Sequence, residues 1–332
     1  MITALGLFSC SNFDREFNDF EYTSAYFPYQ FPVRVLVLGD YIYDNANDNA
    51  HKFLISAAMG GVYRNDRDRI LNIKIDESLC KGVSFSNGDP IKPLPSSYYK
   101  LSNENNILIP KGKFNGSIEV QLTDKFFEDP ESIKNTYVVP IYLLYTNDVD
   151  SVLCGKSSNP NADPRIISDW DKAAPKDFTM FGIKFINEWH GNYFHYGSST
   201  LIDTDGGVLE QYAYREKFVE SNSVYKLKTT ARHQVSLTHT IESSLIVNTN
   251  VTIVFDFDGD NCTLSAPDGA SYSITGSGTF KKNAYQWGNK SRNGIEYSMT
   301  LTLPDGKIYK ANDTLVARDR AVVMEVYSPI LK

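Results

Sequence analysis

A chain of 332 residues with 33 basic and 40 acidic side chains carries a formal net charge of −7. It has no run or stripe of Lys and Arg, which argues against nucleic acid as a partner, because phosphate neutralisation needs clustered cations. Length predicts two domains, each able to bury its own core, and beyond the N-terminus no stretch approaches the roughly 18 apolar residues of a membrane-spanning helix.

In chain order, residues 1–10 read as a partial lipoprotein signal. Leu7-Phe8-Ser9-Cys10 is similar to the site at which a bacterial lipoprotein precursor is cut, and Cys10 would be both the first mature residue and the lipidated one. Several acyl chains, at about 0.8 kcal/mol per buried methylene, would hold the protein on a membrane without crossing it. The stretch before Cys10 is short and lacks the basic residues of a secretory signal, so either translation starts further upstream or the match is accidental. Residues 11–30, acidic and polar, read as a tether.

Across residues 31–147, extended apolar runs alternate with turn signals and no long helical period is seen. The runs are 32–40, 52–59, 69–76, 98–101, 106–109, 116–122 and 136–145. About seven strands over such a length fit an immunoglobulin-like β-sandwich. The first run is similar to the opening of a nucleotide-binding unit, but Gly39-Asp40-Tyr41 lacks the G-x-G-x-x-G pattern. Residues 148–176, rich in Ser, Asn, Pro and Gly, read as an interdomain linker.

Residues 177–332 carry longer strands and tight turns at Asp203–Gly207, Asp256–Asn261, Pro267–Gly269 and Pro304–Gly306, where Asp or Gly supplies the positive φ of a hairpin. Runs 211–217, 224–228, 234–242, 251–257, 263–266, 271–281, 294–303 and 322–327 then predict a sequential meander. A meander escapes exposed edges by closing. The fold class expected is therefore all-β, a sandwich followed by a lipocalin-like or calycin-like antiparallel barrel, with a jelly-roll sandwich as the alternative for the second domain.

The segment Phe181–Gly197 is the densest in rings. Trp189, Tyr193 and Tyr196 offer flat faces, and Glu188, His190 and Asn192 offer hydrogen-bonding groups; Tyr285–Asn293, with Trp287, repeats the mixture. Sugars require that combination, since their C–H faces stack on rings and their hydroxyls need polar partners. The ligand site expected is Glu188, Trp189, His190, Asn192, Tyr193, Tyr196 and Trp287, against the alternative that the rings plug a barrel end. Catalytic residues are not identifiable: glycoside hydrolysis needs two carboxylates, and Glu188 stands alone in the ring-rich segment. His190 and His195 have no Cys or Glu at a recognised zinc spacing; Asp256-Phe257-Asp258-Gly259-Asp260 lacks the later ligands of a calcium loop; no P-loop or nucleophile elbow occurs. No metal and no cofactor is expected, and an enzyme less than a binding protein. The four cysteines, at 10, 80, 154 and 262, leave an odd number if Cys10 is acylated. Cys80 could pair with Cys154, though buried free thiols are the better expectation.

Finally, Asp40–Asn45, Asn49–Lys52, Met59–Tyr63, Val120–Asp124, Asn135–Pro140, Lys184–Tyr193, Trp287–Lys290 and Arg318–Arg320 resemble a two-domain surface lipoprotein family of unknown function from Bacteroidota. The resemblance implies an immunoglobulin-like N-terminal domain, of a type found ahead of some family 18 endo-N-acetylglucosaminidases, and a calycin-like C-terminal domain. Such members are commonly encoded with SusC/SusD-type glycan-uptake systems. The expectation is a lipid-anchored outer-membrane protein at the cell surface that binds a glycan without catalysis and is accessory to polysaccharide capture or uptake, with SusC/SusD-type envelope proteins as possible partners. An envelope adhesion or assembly protein is the alternative, and a glycoside hydrolase a more distant one.

Overall fold

The computed structural model describes residues 19–246 and 249–331. Cys10, and with it the expected lipidation, lies outside the described residues. The regular structure is almost entirely β-strand, because apolar side chains recur at every second position: Phe53, Ile55, Ala57 and Met59 turn inward along Lys52–Gly60 while the residues between them face outward.

Two sheets face each other in the N-terminal domain. One runs Ser151–Val152, Ser24–Tyr26, Lys52–Gly60, Asn115–Leu122, Tyr99–Leu101; the other runs Glu325–Val326, Pro32–Val37, Phe178–Ile186, Tyr137–Leu143, Arg69–Ile75, Asn106–Ile109. Inner faces of both contribute to one core, which includes Phe53, Ile118 and Val120 from the first sheet and Leu36, Ile107, Ile141 and Phe185 from the second.

Phe178–Ile186 corrects the expected domain boundary at 177. It pairs antiparallel with Tyr137–Leu143 and parallel with Pro32–Val37, so it is an interior strand of the sandwich rather than the start of the barrel. Its run of buried residues on both faces is the mark of a strand enclosed by neighbours and layers on every side. Residues 148–176 are consequently not an interdomain linker: they form an excursion between two strands of the same sheet, pinned where Ser151–Val152 pairs with Ser24–Tyr26. The C-terminal tail also returns to this domain. Glu325–Val326 pairs with Pro32–Val37 and Ile330–Leu331 with Val83–Ser84, so the run expected at 322–327 is not a barrel strand.

The second domain is a closed barrel of eight strands in sequential order, Gly191–Ile202, Ser223–Ala231, Gln234–Thr240, Asn250–Asp258, Asn261–Ser265, Ser273–Trp287, Lys290–Thr302 and Ile308–Asp319. Pairing of the last strand with the first, from Asn192↔Asp319 to Ile202↔Ile308, completes the cylinder. Val208–Tyr214 shares an edge of the first strand with Ser223–Ala231, each taking half of it. The meander expectation holds and the jelly roll does not, because from Ser223–Ala231 onward each strand pairs with the next one in sequence. The acidic segment at Asp256–Asp260 is a hairpin turn with Gly259 and Asp260 at its tip and Asp258 opposite Asn261. Leu227, Leu237, Ile253, Phe255, Ile295, Leu301, Tyr309 and Leu315 fill the interior. No helix among the described residues is long and apolar enough to cross a membrane.

Candidate functional site

The β-pleat divides the rings that the sequence groups together. Successive residues of a strand point to opposite faces, so Tyr193 and His195 enter the barrel while Phe194 and Tyr196 leave it. Trp189, only 3% exposed, closes one end of the interior: its indole stacks on Phe257 at 4.0 Å and 6° and meets Phe280 edge-on. The Tyr193 hydroxyl donates to the Trp189 carbonyl at 2.8 Å. Trp287 lies outside, edge-on to Phe194, with its Nε1–H on the Ala317 carbonyl and the Arg292 guanidinium 4.2 Å from its ring centre. Tyr196 packs in that outer cluster under Arg215. Trp189 and Trp287 therefore do not share a pocket, and the expected ring-lined site is corrected to a core plug plus an outer ring cluster.

The polar members of the same segment tie the two domains together. Arg320 donates from its guanidinium to four carbonyls, those of Leu38, Asp40, Asn187 and His190. Asn187, fully buried, donates from its amide to the carbonyls of Ala231 and Gln234. Asn192 donates to Asp319, and Glu188 faces Lys282 at 3.8 Å. Gly191, at φ 155°, has no room for a side chain, since a Cβ would collide with the Asp319 carbonyl oxygen. Arg320, Asn187 and Asn192 thus spend their side-chain donors within the protein.

His190 belongs to this junction too, and its environment makes stability depend on pH. The Thr229 N–H donates to Nδ1 at 3.0 Å, so that nitrogen carries no proton in the folded protein. Burial first, then the charges of Lys226, Arg320, Lys184 and Lys228, push its pKa from 6.5 to about 3. Between those two values the unfolded chain binds the proton that the folded one refuses, and stability falls as the pH is lowered through that window. Denaturant midpoints measured from pH 7 to pH 4 are expected to drop, with a contribution from this ring approaching about 1.4 kcal/mol per pH unit. His190→Gln should flatten the slope; an unchanged slope would mean the ring titrates as it does in water.

Sequence reading misses a buried polar cluster inside the barrel. His195, His239 and Asp313, on three different strands, are each no more than 3% exposed. His195 Nε2 stands 3.3 Å from Asp313 Oδ2, the Tyr214 hydroxyl donates to the other carboxylate oxygen, and the rings of Tyr214 and Tyr225 pack against His195. Gly197 makes the space, because a Cβ there would collide with Asp313 Oδ1. Burial lowers the pKa of His239 to about 4, against the pull of the Asp313 charge, which keeps that ring neutral at neutral pH. Burial, with Asp313 beside them, drives the Tyr214 and Tyr297 hydroxyls far above 10. The signal that could have found the cluster is Asp313 itself, a carboxylate in the middle of an inward-facing row.

A concavity of the second domain is on the outer wall of the barrel. It is a groove of about 860 Å³ lined by hydroxyl, amide and carboxylate groups, among them Asp256, Asn261, Thr263, Ser277, Glu296 and Asn312. These are the outward partners of the inward Phe255, Cys262, Leu264, Tyr297 and Asp313, so the same alternation that builds the core builds the groove. Glu296 accepts from Lys281 and from the Tyr285 hydroxyl, and those bonds hold its carboxyl below the usual range. That is the wrong direction for the proton donor of a glycosidase. Cys80, Cys154 and Cys262 are free; Cys80 and Cys262 are buried, whereas Cys154 is exposed, contrary to the expectation of buried thiols throughout.

Fold and sites together define a two-domain β protein, a sandwich locked to a filled, closed barrel. Residues 188–321 match the family model described as a domain of unknown function, DUF5627, and residues 20–150 match a second model described as an N-terminal domain. A solved structure from Bacteroides ovatus, of unknown function, is 33% identical with a TM-score of 0.87, over 94% of this chain and 99% of that one. Another of unknown function from the same organism gives a TM-score of 0.41 at 12% identity, over 92% of this chain and 99% of that one. No curated protein matches. The chain belongs to the family of the first B. ovatus protein, and in it the match to that N-terminal domain precedes the match to the DUF5627 domain. The match beginning at residue 188 coincides with the start of the barrel and leaves Phe178–Ile186 to the sandwich.

Proposed function

We propose that this protein is a non-catalytic glycan-binding lipoprotein, anchored through Cys10 at a bacterial outer-membrane surface and accessory to polysaccharide capture, and that its sugar contact is the outer groove of the barrel. The observation that carries the reading is the groove's lining. Hydroxyls, amides and carboxylates alternate along adjacent strands, as in Ser298 donating to Asn312 at 2.7 Å, and such a lattice offers both donors and acceptors to a hydroxyl-rich ligand. In this arrangement the sandwich holds the barrel away from the membrane, and neighbouring SusC/SusD-type envelope proteins would receive the captured glycan.

Affinity electrophoresis through gels cast with a panel of polysaccharides tests the groove. Asn312→Ala with Glu296→Ala, both exposed, should weaken retardation at least tenfold while thermal melting stays close to that of the parent. Retardation that survives the double change removes the groove, and no retardation by any polysaccharide favours the adhesion or assembly alternative. Mass spectrometry of the N-terminal peptide from membranes should find acylated Cys10; an unmodified thiol there ends the anchoring part.

A further inference from the structure

The buried cluster inside the barrel has more polar atoms than the protein satisfies. His195 Nε2, both ring nitrogens of His239 and Asp313 Oδ2 have no hydrogen-bond partner among the described residues, although each is sealed from solvent. Leaving such atoms bare is costly, on the order of 1–3 kcal/mol each, so a cluster of them aimed at one another points to something that binds all of them. The ligand atoms of the three residues lie within 4.8 Å of one another. Tetrahedral zinc holds imidazole nitrogen and carboxylate oxygen at about 2.0–2.2 Å, which spaces neighbouring ligand atoms about 3.4 Å apart. His195 Nε2 and Asp313 Oδ2 are 3.3 Å apart and do not bond each other directly.

We propose that His195, His239 and Asp313 form an internal binding site for a divalent first-row transition ion, zinc by its ligand set and spacing. Two imidazoles and a carboxylate suit such an ion better than calcium or magnesium, which take oxygen ligands. The surroundings match those of metal ligands elsewhere: the Tyr214 hydroxyl donates to the free oxygen of Asp313, fixing the carboxylate as outer partners commonly do. Tyr214, Tyr225 and Tyr309 pack around the cluster and enclose it, which keeps a substrate out, and a tetrahedral ion there would draw its fourth ligand from outside these three residues. Its ligands come from Gly191–Ile202, Gln234–Thr240 and Ile308–Asp319, so the ion would clamp the seam at which the last barrel strand meets the first.

The test uses the full chain, purified with neither chelator nor polyhistidine tag. Elemental analysis is expected to find one transition ion per chain, and dialysis against a strong chelator should lower the melting temperature by several degrees, with added zinc restoring it. Cobalt(II) added to the chelated protein should give the visible bands of tetrahedral coordination without thiolate absorption, since no cysteine is in the cluster. His239→Gln and His195→Gln should lose the ion and the cobalt bands; if either variant fails to fold, the chelation and cobalt measurements on the parent still decide. Folded parent protein with no stoichiometric transition ion, no chelator effect on melting and no cobalt spectrum would overturn the site and leave an internal hydrogen-bonded cluster filled by water.

Discussion

Trp189→Ala is expected to lower the stability of this protein by about 3–5 kcal/mol, the usual range for emptying a large aromatic site in a core. The indole is stacked on Phe257 and edge-on to Phe280, so truncation opens the barrel end and unsettles two neighbouring rings. Equilibrium denaturation in urea reads the loss directly. Trp287→Ala, outside the barrel and half-buried, should cost clearly less, because part of its surface already meets water and its ring is covered chiefly by Phe194 and Arg292. A loss below about 1 kcal/mol at Trp189 would show that the ring does not fill the interior. The comparison also separates stability from binding: an effect of Trp189→Ala on ligand retention would be an effect of unfolding.

Arg320→Ala should have the next largest consequence, about 3 kcal/mol, together with a change in the shape of the unfolding curve. Hydrogen bonds from a charged donor contribute roughly 1.5–3 kcal/mol each, and four carbonyls lose one here, discounted because the guanidinium is partly open to solvent. Two of those carbonyls, on Leu38 and Asp40, belong to the sandwich; those of Asn187 and His190 belong to the turn into the barrel. The variant should therefore weaken the coupling of the domains, seen as a lower denaturant slope or as two transitions. Arg320→Lys should recover little, since an ammonium cannot present the planar fork that reaches separate acceptors. One unaltered cooperative transition in both variants would show that the domains are coupled chiefly by Glu325–Val326 and Ile330–Leu331 instead.

Much of the sandwich is legible without coordinates. The expected runs at 52–59, 69–76, 106–109 and 116–122 coincide with observed strands to within a residue or so, because one face of each strand is buried and the other wet. Ile308–Asp319 is absent from the expected runs, although it closes the barrel. Its centre, Lys310-Ala311-Asn312-Asp313-Thr314, is rich in residues that strands ordinarily avoid. Asn312 faces the outer groove and Asp313 the buried cluster, so the strand breaks the apolar alternation at the two places where its side chains have polar work. Departures from the local rules are commonly found at such positions.

The candidate site is less legible. Glu188 to Tyr196 form a real unit, yet their closeness in sequence says nothing about sharing a surface: in a strand, neighbours are on opposite faces, and those near its start are tied into the domain junction. His195, His239 and Asp313 meet only because three strands far apart in sequence are wound into one cylinder.

Alternation of apolar and polar side chains and the placement of Asp and Gly at turns are local properties, readable from neighbours a few residues away, and they settle that the chain is all-β with a meander in its second half. Which edge receives which strand is not local. Phe178–Ile186 joins the sandwich rather than the barrel, and the tail at Glu325–Val326 comes back beside Pro32–Val37, because backbone hydrogen bonds carry no side-chain label and burial of both faces decides the partner once the whole core has formed.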